Sequence, residues 1–516
     1  MPISRRAFLS GCAAGLLAAA LPAPLLLARP RFDKYPFTLG VASGYPAPHG
    51  VVLWTRLAPE PLAGGGMPPA AVEVAWELAG EESFRSIVAR GTEIASPESA
   101  HSVHAEVSGL EPARWYFYRF HAGGATSPVG RTRTAPLPAS LERMRFAFAS
   151  CQQYEQGWYC AYRHMAREDL DLVAHLGDYI YESSWGRNHV RKHEAGEPVT
   201  LGDYRNRYAL YKSDPDLQAA HAAAPWIVTW DDHEVQNDYA NERSQHLDEP
   251  AAFLARRAAA YRAWYEHMPV PKRMAPRGPD ARIYVRLDYG ALAAFYVLDD
   301  RQYRSHQVCP RPGRGGSRVV ADEECPERLD PQLTLLGEAQ EKWLSAEFAA
   351  ARARWNVIVQ QTLMAQADRT PGEGRSFWTD GWDGYPRARE RLLRALAERR
   401  VANPVVVGGD VHMFVAADLK TDFDDPAAPV VATEFNCSSI TSQGLPMKQV
   451  EAWAADNPHV KYANSARRGY AVMELSQRRA VTRFRSVYDV TDPAAGIRTL
   501  ANWTVEDGRP GAQRGA

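Results

Sequence analysis

The sequence predicts a layered α/β fold preceded by an all-β sandwich. Three observations predict it. From about residue 139, apolar strand-like runs alternate with helical runs, the pattern of an α/β layer architecture. Between residues 37 and 136 the runs are short, strand-like and closely spaced by turn residues, which favours a β-sandwich. Five apolar strands of the larger part also end in residues able to bind a metal.

The chain has 516 residues, room for roughly two to four domains at about 150 residues each. Hydrophobic residues are 45% and charged residues 23%, which excludes wholesale disorder and a fibre. The formal net charge is -1. Such a balance gives no global electrostatic reason to bind nucleic acid or an anionic membrane.

Residues 1–30 read as an export signal. Ser4-Arg5-Arg6-Ala7-Phe8-Leu9 precedes an uncharged Ala- and Leu-rich run broken by Pro22 and Pro24. Basic start, apolar middle and small residues near the end are the parts of such a signal, and the paired arginines resemble a twin-arginine signal. This implies recognition by the twin-arginine export machinery and a periplasmic or secreted location. The prolines and limited length argue against a stable membrane anchor. Leu9-Ser10-Gly11-Cys12 matches a lipoprotein box, but the apolar run follows Cys12 instead of ending there.

Residues 31–138 form the expected sandwich. Val72-Glu73-Val74-Ala75-Trp76-Glu77-Leu78 alternates apolar with acidic, as a half-buried strand does. Residues 51–57, 102–107 and 115–121 are further strands, and LEPARWYFYRF with PVGRTRTAP resembles the end of a fibronectin-type module. Residues 139–505 are expected to form one large domain. Strands are predicted at 144–149, 170–176, 225–230, 283–287, 292–298, 355–359 and 404–407. Helices are predicted at 157–168, 203–224, 251–267, 337–353 and 387–400, the second bent or split by Pro215. Residues 506–516 are expected to be a loose tail.

Cys309 and Cys325 close an aperiodic Pro- and Gly-containing loop, and in an oxidising compartment they read as a disulfide. Of the remaining mature cysteines, Cys160 reads as a buried small hydrophobe. Pairing of Cys160 with Cys437 stays open.

The chemistry follows the strands. After RFAFAS comes Cys151; after LVAHLG come Asp178, Tyr181 and Glu182. After WIVTW come Asp231, Asp232, His233 and Glu234. After NVIVQ comes Gln361, and after PVVVGG come Asp410 and His412. In open α/β sheets, ligands bind beyond the carboxyl ends of strands. Any one such residue could be turn chemistry; five together point to a metal site. Cys151, Asp178, Tyr181, Asp232 and Asp410 can each be anionic, and so many anions in one pocket need more than one divalent ion, or a trivalent one. Thiolate with phenolate suits neither Mg²⁺ nor Ca²⁺, whereas tyrosinate binds ferric iron. Cys151 and Tyr181 are therefore assigned to an iron-type site, Asp178 to a bridge and Asp232 to a second, harder metal. Asp231 is the alternative to Asp232, and Asp410 and His412 could instead orient neighbouring groups.

The pieces FAFASCQ, HLGDYIYE, TWDDHEVQNDYA, VIVQQTLMAQ, WDGYPRARERLL and VVVGGDVHMF resemble the calcineurin-like metallophosphoesterases, and among them the PhoD-type alkaline phosphatases. The resemblance implies a metallophosphoesterase-type layered α/β sandwich with Fe(3+) and Ca(2+). It also implies small-molecule or polymeric phosphate esters as substrates, as an alkaline phosphatase or a phosphodiesterase. Gln361, Asn237 and Asp383 are candidates to complete the calcium shell or touch substrate. The expected reaction is in-line attack on phosphorus by a metal-activated water, with His233 as general acid. His233 as a ligand or a salt-bridged structural histidine is the plain alternative. No GxSxG elbow or Walker loop is present. Cys151 as nucleophile would want an arginine close after it, and CQQYEQGWYC has none. From another class, a non-enzymatic exported metal-containing binding protein remains. The cations of residues 185–200 (Arg187, His189, Arg191, Lys192, His193) read as a solvated loop before a phosphate site.

Overall fold

The computed structural model describes residues 32–515; the export-type segment and Cys12 lie outside the described residues. Two large sheets face each other, with helices on their outer faces. In the first sheet, Met144–Ala149, Leu172–His175 and Trp226–Val228 run parallel at the centre. In the second, Ala293–Val297, Trp355–Val359, Pro404–Gly408 and Val430–Asn436 are parallel neighbours.

Both faces of these strands are buried, so they are apolar without alternation, as parallel strands are. Phe146 and Phe148 point into the inter-sheet core with Phe295, Val357, Val405 and Phe435. Phe146 meets Phe295 edge-on at 5.2 Å. Each fully buried Phe contributes roughly 1.5–3 kcal/mol. The intervening Ala147 and Ala149 face the other way, toward helices Leu201–Lys212 and Pro250–His267. Helices Glu338–Ala349 and Pro386–Glu398 cover the second sheet. The mixed α/β class expected from the alternation is the one observed.

The N-terminal β region is joined to this core. Its sheet containing Ile87–Ala95, Val72–Ala79 and Trp115–Ala122 packs Val72, Val74, Tyr116 and Tyr118 on Val41, Leu53 and Ala105. Those last residues belong to strands Val41–Ala47, Gly50–Arg56 and Ser102–Ser108, which form the far end of the ten-stranded sheet. The junction is a parallel pairing of Gly44 with Trp226.

Some expectations need revision. The helix read at 157–168 is one short piece, Cys160–Met165. Pro215 does split the next helix: Asp214 caps Pro215–Ala223 by accepting from Asp216 N–H and Leu217 N–H, with proline at the position where no N–H is needed. The expected loose tail is not loose. Arg509–Arg514 is an edge strand antiparallel to Ile497–Glu506, with Ala512 buried and its N–H donating to Asp418. Asp507-Gly508 is a hairpin signal between alternating residues, and it outweighs the Gly and Arg content that suggested disorder. Cys309 and Cys325 are bonded. Cys151, Cys160 and Cys437 are free and buried, so Cys160 and Cys437 do not pair. Among the described residues no helix is long and apolar enough to cross a membrane.

Lys212 ties the N-terminal strands to the large core. It is 2% exposed, with Nζ 4.3 Å from the Trp54 ring centroid and donating to Tyr179 Oη at 3.4 Å. Burial pulls its pKa down to about 7. Between about pH 7 and 10 the unfolded chain therefore holds a proton that the folded chain lacks, and stability rises with pH there. Urea unfolding should show wild type gaining about 1.4 kcal/mol per pH unit relative to Lys212→Met in that window. Lys212→Met should lose this slope and be the more stable protein at neutral pH.

Candidate metal centre

The two parallel blocks end on the same side, and their carboxyl-end loops meet. Ser150 pairs with Ser439 across the sheets, and Ile440 N–H donates to Ser150 O at 3.0 Å. Gln361 is a second tie: its amide Nε2 donates to Thr229 Oγ1 and Trp230 O at 2.7 and 2.9 Å. Gln361 thus joins the two sheets, leaving Oε1 buried without a hydrogen bond.

Cys151, Asp178, Asp410 and His412 all adopt positive φ, from 53° to 62°. Such conformations cost about 1–3 kcal/mol each for non-glycine residues and gather at functional sites. They turn the chain sharply off each strand, so the side chain projects from the strand end. Gly177, at φ 106°, makes the turn before Asp178; a Cβ there would sit 2.6 Å from Asp231 N.

The structure brings together the six residues expected as ligands. Cys151, Asp178 and His412 have ligand atoms within 4.8 Å of one another, as do Asp178, Asp232 and His233. Asp178 belongs to both groups. Tyr181 Oη donates to Asp178 Oδ2 at 2.8 Å and lies 3.2 Å from His412 Nε2. His412 Nδ1 is 2.7 Å from Gln443 O, so Nδ1 carries the proton and Nε2 keeps its lone pair for the site. Trp185 stacks on His412, centroids 5.7 Å apart. Asp410 accepts from Thr362 Oγ1 at 2.6 Å.

Asp231 and Asp232 separate clearly. Asp231 is ion-paired with buried Arg301, whereas Asp232 faces the cluster and accepts from Asp238 N–H at 2.6 Å. His233 Nδ1 is 2.6 Å from Glu182 Oε2, and its ring lies 4.1 Å from that of Tyr181.

Electrostatically, the cluster resists ionising. Burial pushes Cys151, Asp178 and Tyr181 well above their usual values; the charge of Asp178 adds to it for Cys151 and Tyr181, and those of Asp232, Asp231 and Glu234 add to it for Asp178 against the opposing pull of His233. Burial with Asp232 and Asp380 nearby raises Asp410 to about 7. Burial opposes ionisation of Asp232 too, but Arg301 and His233 hold it at about 2. Burial depresses His412 to about 3, with Arg468 adding to it. Burial works against a charged His233, yet Glu182, Asp232 and Asp178 raise it well above the usual imidazole range.

Asp383 stands apart. It accepts from Ala367 N–H and pairs with Arg389 at 2.6 Å. The turn Trp382–Gly384 aims it away, and Asp380 instead lies within reach of Asp232 and Asp238. Asp380 is paired with Arg301 and Arg304. Asn237 lines the cleft, and its N–H donates to Glu182. In the 185–200 loop, Arg191 is buried against Tyr154 and paired with Asp214, and His193 is buried beside Tyr211. Both serve packing. Sequence reading named Glu182 without giving it a role, and it missed Arg301, Asp380 and Ser442. Ser442 Oγ lies 2.8 Å from Cys151 O and 2.9 Å from Tyr181 Oη.

These residues open into a cleft of about 500 Å³ that includes Asp178, Asp232, His233, Asp410, His412 and Trp185. A family model described as PhoD-like phosphatase matches residues 146–484, and one for its N-terminal domain matches 22–136. The chain is 47% identical to alkaline phosphatase D of Bacillus subtilis (strain 168) over 498 residues, covering 94% of this chain and 84% of that protein. A solved structure of PhoD is 46% identical with a TM-score of 0.89, over 94% of this chain and 93% of the other. A purple acid phosphatase from yellow lupin shares the fold at 10% identity and TM-score 0.58, over 92% and 74%.

Gly177→Ala should place a methyl group against the Asp231 backbone at a positive φ. It is expected to cost at least about 1–3 kcal/mol, read as a lowered melting temperature, with reduced metal retention on dialysis.

Proposed function

The chain belongs to the PhoD-like phosphatase family and is a phosphoric ester hydrolase, and from that premise we propose that it works with two bound metal ions. The observation that carries this is the sharing of Asp178 between two donor groups. Asp178 Oδ1 is buried without a hydrogen-bond partner, and His412 Nε2 faces the same space as an available acceptor. The donor set fits the metals. Cys151, Tyr181 and His412 supply soft and phenolic donors for an Fe(3+) ion, and Asp232 offers carboxylate oxygen for Ca(2+). Asp178 would lie between them, with Asp410 at the edge.

Bound there, the ions would lower the pKa of a water and neutralise phosphoryl oxygens. The protein's own residues do the rest. Glu182 holds His233 by Nδ1, leaving Nε2 toward the cleft to give a proton to the leaving alkoxide. Arg301 keeps Asp232 ionised. Thr362 and Gln443 orient Asp410 and His412. Residues 1–30 support export through the twin-arginine machinery to a periplasmic or secreted location. The non-enzymatic alternative is not favoured by a chain this similar to an alkaline phosphatase.

The test is elemental analysis of the purified protein, with assay of a chromogenic phosphomonoester and phosphodiester before and after chelation. Full activity without metal would contradict the proposal. Cys151→Asp should keep part of the activity; complete loss with metals still bound would make Cys151 the nucleophile. His233→Asn should lower kcat by about 10²–10⁴-fold. Glu182 raises the His233 pKa, and a general acid works only below its pKa. Glu182→Gln should therefore move the alkaline limb of the kcat/KM profile to lower pH.

A further inference from the structure

We propose that Arg314, at the lip of the cleft, reads a second anionic group on the alcohol portion of the substrate. This rests on the phosphatase reading and names its specificity residue.

Arg314 lines the same cleft as Asp178, Asp232, Asp238 and Asp410, and it is the one Lys or Arg among the lining residues. It is exposed, whereas Asp178, Asp232 and Asp238 are buried and Asp410 is half-buried. Among the described residues its guanidinium makes no ion pair. The other charged residue at the rim, Glu197, is already paired with Arg256 at 2.7 Å.

The loop carrying Arg314 is held from three directions. The Cys309–Cys325 disulfide closes it. Gly315 N–H donates to Gln245 O at 3.0 Å, and Gly316, at φ 78°, lies so close that a Cβ would be 2.9 Å from Asp238 Cβ. Ser317 donates to Asp238 Oδ2 from N–H and Oγ, at 2.9 and 2.7 Å. Asp238 in turn donates its N–H to Asp232. Arg314 is thus keyed to the metal cluster through one short chain of contacts. Trp378, also lining the cleft, is fixed by its Nε1 donating to Ser317 Oγ at 2.9 Å.

The scissile phosphate belongs at the buried cluster. A cleft of about 500 Å³ leaves room beyond it for the alcohol, along Trp185 and Trp378. A planar guanidinium at the far lip suits a phosphate or carboxylate there. Esters whose alcohol carries a second anion should therefore bind better than esters of neutral alcohols.

The experiment compares a sugar monophosphate with the matching sugar bisphosphate on the metal-loaded full chain. Wild type should favour the bisphosphate. Arg314→Ala should raise KM for the bisphosphate about three- to tenfold, the range of an exposed charged contact, with kcat kept and the monophosphate KM unchanged. Arg314→Lys should restore part of the preference. The Cys309→Ser, Cys325→Ser double variant should show the same split. An Arg314→Ala variant that is folded by thermal unfolding and changes both esters alike, or neither, would overturn the proposal. Hydrolysis of neither ester by wild type would instead overturn the phosphatase reading beneath it.

Discussion

Arg301 is 1% exposed and lies against three carboxylates at once: Asp231, Asp380 at 2.7 Å, and Asp232 at 3.6 Å. A single guanidinium stabilises that many buried acids only in part. Buried Asp178 and Cys151 and half-buried Asp410 lie in the same place without a Lys or Arg ion pair among the described residues. The rest of the site follows from this imbalance. Strand-end turns hold the acids where their mutual repulsion cannot relax, and burial raises the cost of ionising each one. Bound cations are the proposed remedy, since a metal ion inverts the local pKa logic.

The fold supplies the rigidity this needs. Strands from two separate sheets aim at one point, and the central parallel strands of both are buried on both faces. The stitches between them, Ser150 to Ser439 and Gln361 to Trp230, leave little freedom for the loops. Lys212 and Trp54 extend the same continuity into the N-terminal strands, so that region is part of the scaffold behind the site.

The site was legible in the sequence because its residues sit immediately after apolar strands. Cys151, Asp178, Asp232 and Asp410 each follow a run that periodicity identifies, and the structure brings them together with Tyr181 and His412. What was not legible depends on long-range contacts. Gln361 resembles a ligand in position, yet its Nε2 is spent on Thr229 Oγ1, Trp230 O and Leu298 O, contacts that join the two sheets. Asp383 and Asp380 stand three residues apart in TDGWD, and only the local turn decides which faces the cluster. Ser442 carries no motif, and its contact with Tyr181 spans 261 residues. The terminal strand was misread because composition was weighed above the Asp507-Gly508 turn signal.

The central claim is that cations balance a buried acidic cluster. Folded-state carboxylate pKa values raised by burial, about 7 for Asp410 and higher than usual for Asp178, have a definite linkage sign. The neutral forms stabilise the metal-free fold fully below the unfolded carboxylate pKa, and that contribution is lost as pH rises toward the folded values. The direct measurement is unfolding of metal-loaded and metal-stripped protein from about pH 4 to 8. Histidines buried elsewhere titrate alike in both forms, so the account predicts that the stability gap between loaded and stripped protein widens with rising pH. Parallel curves across that range would contradict it.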